Sequence, residues 1–183
     1  MRPSTSIEDI EWMLARSAAF DAGYALVTNA SVFEKNGCGE QILEKIREWE
    51  KARMSGAFNK EQKKRMENIK NEFTLKVSGE NQWLLIPYEV KRYEHMHREL
   101  QPGEPVSTLF TFNNPYPEQN VCFILTAKDG SVEDISITID NRPKIILQVV
   151  INPGQNLKYE GGDEVLLYSE NWQLIRTLKI KND

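Results

Sequence analysis

The sequence predicts an α+β protein in which a helical amino-terminal segment is followed by an antiparallel β-sandwich. Apolar residues recur at helical spacing up to about residue 70, and from Phe73 onward they alternate with polar ones. One apolar run without alternation, Tyr24-Ala25-Leu26-Val27, lies between the first two helical stretches. Turn signals punctuate the rest: Ser78-Gly79, Pro102-Gly103, Asp129-Gly130, Pro153-Gly154, Gly161-Gly162 and the short Glu170-Asn171 hairpin. A helix–strand–helix piece cannot bury both faces of one strand by itself. Ser6 to Gly56 therefore reads as the closing piece of a larger α/β unit.

The first helix is announced by Thr5 and Ser6, with Glu8 and Asp9 three residues after each, a capping pattern whose acids suit the helix dipole. Ile7, Ile10, Leu14 and Ala18 share one face, and Ala18-Ala19 suits close packing on a sheet. Gly23 is expected to stop the helix in a left-handed cap. Tyr24 to Val27 then reads as a strand buried on both faces of a parallel sheet, with Thr28-Asn29-Ala30-Ser31 at its carboxyl end. A second helix runs from about Gly39 to Met54, with Ile42, Ile46, Trp49 and Arg53 at helical spacing and Ser55-Gly56 as its stop. A third, shorter helix starts at Asn59, with Gln62 at the capping-box position, and carries Met66, Ile69 and Phe73 on one side. It reads as a rigid connector, which gives three parts: 1–58, 59–72 and 73–183.

Strand candidates follow at Phe73 to Val77, Gln82 to Ile86, Tyr88 to Tyr93, Val106 to Phe112, Val121 to Ala127, Ile135 to Ile139, Ile145 to Ile151, Val165 to Tyr168 and Trp172 to Ile180. Short strands at such spacing mean a sandwich of jelly-roll or Greek-key type. Tyr93 to Leu100 fits a helix as well. Strand order stays open, because alternation reports faces and not neighbours.

Composition narrows the function. With 183 residues, 40% hydrophobic and 27% charged, the chain is that of a globular protein. Its net charge of -4 gives no field for nucleic acid or an anionic membrane. The basic run from Lys60 to Lys70 is offset by Glu61, Glu67 and Glu72 and reads as a solvated helix face. No apolar stretch approaches the roughly 18 residues of a bilayer span, and Met1 to Thr5 leads into a helix without a secretory signal. Cys38 and Cys122 stand on different elements and indicate neither a disulfide framework nor a zinc site. No cofactor is implied. Free, buried or half-buried thiols are the default; Cys38, between two glycines, looks exposed and reads as structural or incidental. His95 and His97 form a His-x-His pair that a strand would put on one face; the plainer reading is two histidines on an edge segment.

Helix, glycine, buried strand, loop and helix make one and a half units of a (β/α) repeat. The wording Arg2-Pro3-Ser4-Thr5, Asp9-Ile10-Glu11-Trp12-Met13 and Ala18-Ala19-Phe20-Asp21-Ala22-Gly23-Tyr24-Ala25-Leu26 resembles the last units of TIM-barrel glycoside hydrolases of gut-type Bacteroidetes. Ile151-Asn152-Pro153-Gly154 through Gly161-Gly162, with Tyr168 to Trp172, looks like the β-sandwich that follows the barrel in such enzymes. Together these cover most of the chain.

The resemblance implies the carboxyl-terminal part of a carbohydrate-active hydrolase, periplasmic or extracellular. The first part would be the end of a (β/α)8 barrel, with the sandwich bracing it as an accessory domain that contacts glycan. Its partners would be carbohydrate and the remainder of the barrel. Glycosidases place two carboxyl groups on different strands across the scissile bond. One barrel strand is present here, so no catalytic residue is assigned and the chain alone is expected to be inactive; Glu34 is a lone carboxylate on a loop. Thr28, Asn29 and Ser31, at the strand's end, are the residues that would hydrogen-bond a sugar there. Asn113 and Tyr116, in a loop stiffened by Pro115 and Pro117, are the candidates on the sandwich, where an aromatic face and an amide suit a sugar ring. Trp83 and Trp172 are expected to pack. The orphaned Ile7/Ile10/Leu14 and Leu26/Val27 faces should leave the isolated chain unstable or oligomeric. The alternative is a self-contained, noncatalytic glycan-binding or structural interaction module whose helices pack on its own sandwich.

Overall fold

Ser6 begins the first helix, α1 (Ile7–Ala19), through a full capping box: the Asp9 amide donates to Ser6 Oγ at 3.1 Å and the Ser6 amide to the Asp9 carboxylate at 3.0 Å. The computed structural model describes residues 4–96, 101–104, 108–138 and 145–182. Helix α1 ends earlier than expected, and the left-handed residue is Asp21 (φ 57°), not Gly23. The Ala22 amide reaches Ser17 O at 2.9 Å and the Asp21 amide reaches Ala18 O at 3.3 Å, which together satisfy the last carbonyls. Asp21 holds this conformation because Lys63 pairs with its carboxylate at 3.0 Å and Arg53 donates to its carbonyl at 3.3 Å.

A short helix, α2 (Ala30–Lys35), precedes α3 (Gly39–Met54), and α4 (Lys60–Glu67) follows. Gly56 (φ 70°) closes α3, where its amide and that of Ala57 bond Arg53 O and Ala52 O, both at 3.0 Å. Asn59 and Gln62 form the second capping box, as the spacing predicts. Met66 of α4 is buried and Ile69 is exposed, so the apolar side of α4 stops one turn short of the predicted one.

The chain then turns antiparallel. Strands β1 (Glu72–Gly79) and β2 (Gln82–Tyr88) pair as a hairpin, Phe73 opposite Pro87 and Leu75 opposite Leu85. Strands β3 (Phe123–Thr126), β6 (Asn156–Tyr159), β7 (Glu164–Tyr168) and β8 (Leu174–Lys179) form one sheet in the order β3-β6-β7-β8. Strands β4 (Ile135–Ile137), β5 (Ile145–Leu147) and β9 (Lys181–Asn182) form another in the order β4-β5-β9. Every pairing is antiparallel. At Ile180, whose amide bonds Asp163 O at 2.8 Å, the chain passes from one sheet to the other.

Two apolar clusters hold this together. Leu147 and Ile145 from one sheet meet Leu157, Val165 and Leu167 from the other, with Ala127 and Ile151 between them. The first cluster joins Ile10, Leu14, Trp49, Ala52 and Met66 of the helices to Phe73 and Leu75 of β1, crossing the boundary expected near residue 73. It also takes in Trp172, from the turn between β7 and β8.

Several expectations are corrected. Ile10 and Leu14, expected to be orphaned, are 1% exposed because α3, α4 and β1 cover them. Tyr24 to Val27 forms no strand: among the described residues nothing pairs with it, and Leu26 is 38% and Val27 96% exposed. A continuous apolar run makes a buried strand only where neighbouring strands exist to satisfy its backbone. Residues 89–93 and 108–112 are irregular, while Val106, His97 and Leu100 lie outside the described residues. Asn156 to Tyr159, which the alternation does not single out, is the strand that joins β3 to β7.

Candidate functional site

Where the helices meet the four-stranded sheet, a cleft of about 580 Å³ opens between α1, α3, β1 and the β6–β7 pair. Its apolar side is made by Ile7, Leu75, Val77, Leu166, Tyr168 and Trp172, and its polar side by glutamates and lysines. Each wall is fixed by contacts between residues distant in sequence. The capping box places Glu8 in the first turn of α1, facing β6, where Lys158 Nζ donates to Glu8 Oε1 at 2.8 Å and pairs with Glu160 Oε1 at 3.0 Å. Glu160 lies just past the end of β6, and Lys158 on that strand reaches both carboxylates.

This ion triad sets the local electrostatics. Burial alone would raise the Glu8 carboxyl, but the charge and hydrogen bond of Lys158 outweigh it and hold Glu8 below the usual carboxylate range. Burial alone would lower the Lys158 ammonium; Glu8 and Glu160 reverse that and hold it above the usual lysine range. Cys38, at the N-cap of α3, is buried and not exposed as its glycine neighbours suggest. Burial pushes its thiol up, against a smaller opposing pull from Lys158. Burial likewise raises the Tyr168 hydroxyl, which lies in the field of Lys158, Cys38, Glu160 and Glu8.

The α3–β1 wall is fastened by Glu11, which is buried. Its Oε1 accepts from Lys45 Nζ at 3.0 Å, Trp49 Nε1 at 3.1 Å and the Leu75 amide at 2.9 Å, while Lys45 also donates to Leu75 O at 3.0 Å. Trp83 Nε1 donates to Glu48 Oε2 at 3.1 Å, beside the same wall. The remaining wall depends on Trp172, whose ring lies 5.6 Å from Tyr168 edge to face and whose Nε1 donates to Ser4 O at 3.2 Å. Both tryptophans pack, as expected. The turn is further tied by Ser4 Oγ to Asn171 Oδ1 at 2.6 Å and by the Gly37 amide to Asn171 O at 2.8 Å.

The sequence-predicted residues lie elsewhere. Asn29 caps α2, its Oδ1 accepting the Val32 amide and Ser31 Oγ, both at 2.9 Å, and Thr28 Oγ1 bonds Asn29 O at 3.4 Å. Their polar atoms serve a local cap. Asn113 is exposed and Tyr116 half-buried, in a loop where the Tyr116 amide bonds Asn114 Oδ1 at 3.1 Å. Among the described residues no hydrogen bond joins this loop to the Thr28–Ser31 group. Glu34 is exposed, and His95 Nδ1 lies 2.6 Å from Thr108 Oγ1. Among the described residues no cluster of His, Cys, Asp and Glu is arranged to hold a metal, and no helix is long and apolar enough to cross a membrane. Glu8 and the Lys158–Glu160 pair escape sequence reading because 150 or more residues separate the first from the other two; the available signal is a lysine next to apolar Leu157 in a run that becomes β6.

No family model, curated protein or solved structure matches the chain.

Proposed function

We propose that the chain is a noncatalytic brace in a carbohydrate-active hydrolase: the helical part closes a TIM-type barrel, and the two antiparallel sheets form an accessory sandwich that supports it and contacts glycan. The reading starts from the resemblance of residues 2–26 and 151–172 to the end of such enzymes, and with it go a periplasmic or extracellular setting and the rest of the barrel as partner. The observation that carries it is the segment Tyr24 to Val27. It is apolar and without a paired strand among the described residues, with Tyr24 packed on the helical core and Leu26 and Val27 exposed, lying between α1 and α2 where a barrel strand would lie. The cleft chemistry agrees with a noncatalytic role. A glycosidase acid needs its carboxyl raised, whereas Lys158 holds Glu8 below the usual carboxylate range.

One observation favours the alternative, a self-contained glycan-binding or interaction module: Trp172 of the β7–β8 turn is part of the helical core. Two measurements decide between the readings. A brace releases no reducing sugar from oligosaccharides and self-associates through the exposed Leu26 and Val27 in light scattering. Glycoside turnover by the chain alone would overturn both readings, and a strict monomer that binds glycan would favour the module.

A further inference from the structure

The cleft at the helix–sheet junction holds hydrogen-bonding capacity that the brace does not use. An ammonium carries three N–H donors, and Lys158 commits two of them, to Glu8 and Glu160. The Glu160 carboxylate takes one of these bonds, can accept several more, and belongs to a side chain that is 62% exposed. Beside them Tyr168 and Trp172 meet edge to face and continue into the apolar Leu166 and Val77. Glu8, Glu44, Glu48 and Glu160 outnumber Lys45, Lys76 and Lys158 in the lining, so an anion meets a wall of slight negative charge. A cleft of about 580 Å³ falls within the range of roughly 300–1,000 Å³ typical of small-molecule sites.

We infer that this cleft binds a neutral polyhydroxylated ligand, one or two sugar rings in size, with adjacent hydroxyls on Glu160 and Lys158 and a C–H face against Tyr168. A vicinal diol suits this pair because one hydroxyl donates to the carboxylate while its neighbour accepts from the ammonium, and no net charge has to be desolvated. The glycan context rests on the proposed function; the location rests on the cleft's own groups.

The test is an amide chemical-shift titration of the full 183-residue chain with maltose, cellobiose and xylobiose, and separately with glucuronate and inorganic phosphate. Saturable shifts at 75–77, 158–160 and 166–168 are expected with at least one disaccharide. Glu160→Gln, a change at an exposed side chain, should weaken that binding about tenfold, Lys158→Met at least as much, and Glu133→Gln, on a distant exposed residue, not at all. Retained spectra of the variants exclude unfolding as the cause. The inference is overturned if no disaccharide gives saturable shifts there at tens of millimolar, or if phosphate or glucuronate binds as well as the best sugar. Saturable shifts at Asn113 and Tyr116 instead would overturn the cleft and leave the glycan-contacting brace standing. Release of reducing sugar would overturn the brace and leave the cleft.

Discussion

Glu11 Oε1 accepts the backbone amide of Leu75 at 2.9 Å, in the seam where α1 lies on β1. With Lys45 donating to Leu75 O at 3.0 Å, a side-chain ion pair holds both polar groups of one strand residue. That strand has a partner on one edge, β2, so the helices supply what a further strand would. Glu11→Ala leaves the Leu75 amide, Trp49 Nε1 and the Lys45 ammonium without this acceptor. Urea denaturation should show a loss of about 3–5 kcal/mol.

Gly37 is required for a different reason. A Cβ there would stand 2.1 Å from Trp172 O and 2.4 Å from its carbonyl carbon, both backbone atoms that cannot rotate aside. Gly37→Ala should force the β7–β8 turn away from the helices and lower stability by about 1–3 kcal/mol. Thermal unfolding measures this, and Trp172→Ala should cost more, about 3–5 kcal/mol, because it empties part of the first core.

The Glu8–Lys158 pair predicts a pH window. Glu8 lies below its ordinary 4.5 in the folded state, so its contribution is present above pH 4.5 and disappears as pH falls through the lower folded value. Lys158 lies above its ordinary 10.5, so its contribution is complete below pH 10.5 and is lost as pH rises through the higher folded value. Glu8→Gln should therefore cost about 1 kcal/mol near neutrality. The difference from wild type should shrink in acid, read from urea midpoints across pH.

Leu26→Ser with Val27→Ser should suppress self-association in light scattering while changing stability by less than about 0.5 kcal/mol, because the segment is exposed and unpaired. A large stability loss would mean that the segment packs in the isolated chain.

The two thiols should separate in maleimide labelling followed by mass spectrometry. Cys122 is exposed and should react in the native state, whereas Cys38 is buried and should wait for unfolding; burial pushes both thiols up, so access and not acidity separates them.

Local signals were legible. The Ser6/Asp9 and Asn59/Gln62 boxes open their helices at the residues the spacing points to, and Phe73 and Leu75 alternate inward as predicted, whereas Val77, the next in the alternation, is exposed. Each depends on residues within a few positions of one another. Tyr24 to Val27 was misread because apolar continuity reports a preference for burial and not whether a neighbour exists. Cys38 was misread because flanking glycines describe its backbone, while its burial is decided by distant packing. The cleft was not legible at all, since Glu8 and Lys158 become neighbours only after both the helices and β6 are in place.

The ties between Ser4 and the β7–β8 turn span almost the whole chain: Ser4 Oγ to Asn171 is a separation of 167 residues, and Ser4 O to Trp172 is one of 168. A ribosome releases Ser4 well before Trp172, so the helical core waits for an indole made 168 residues later. Synthesis therefore produces these helices well before the indole that completes their core, with a loop of high closure entropy to overcome at that step. Nascent chains halted before the β7–β8 turn should remain open to proteolysis and to chaperones, because the helices then lack the indole that closes their core.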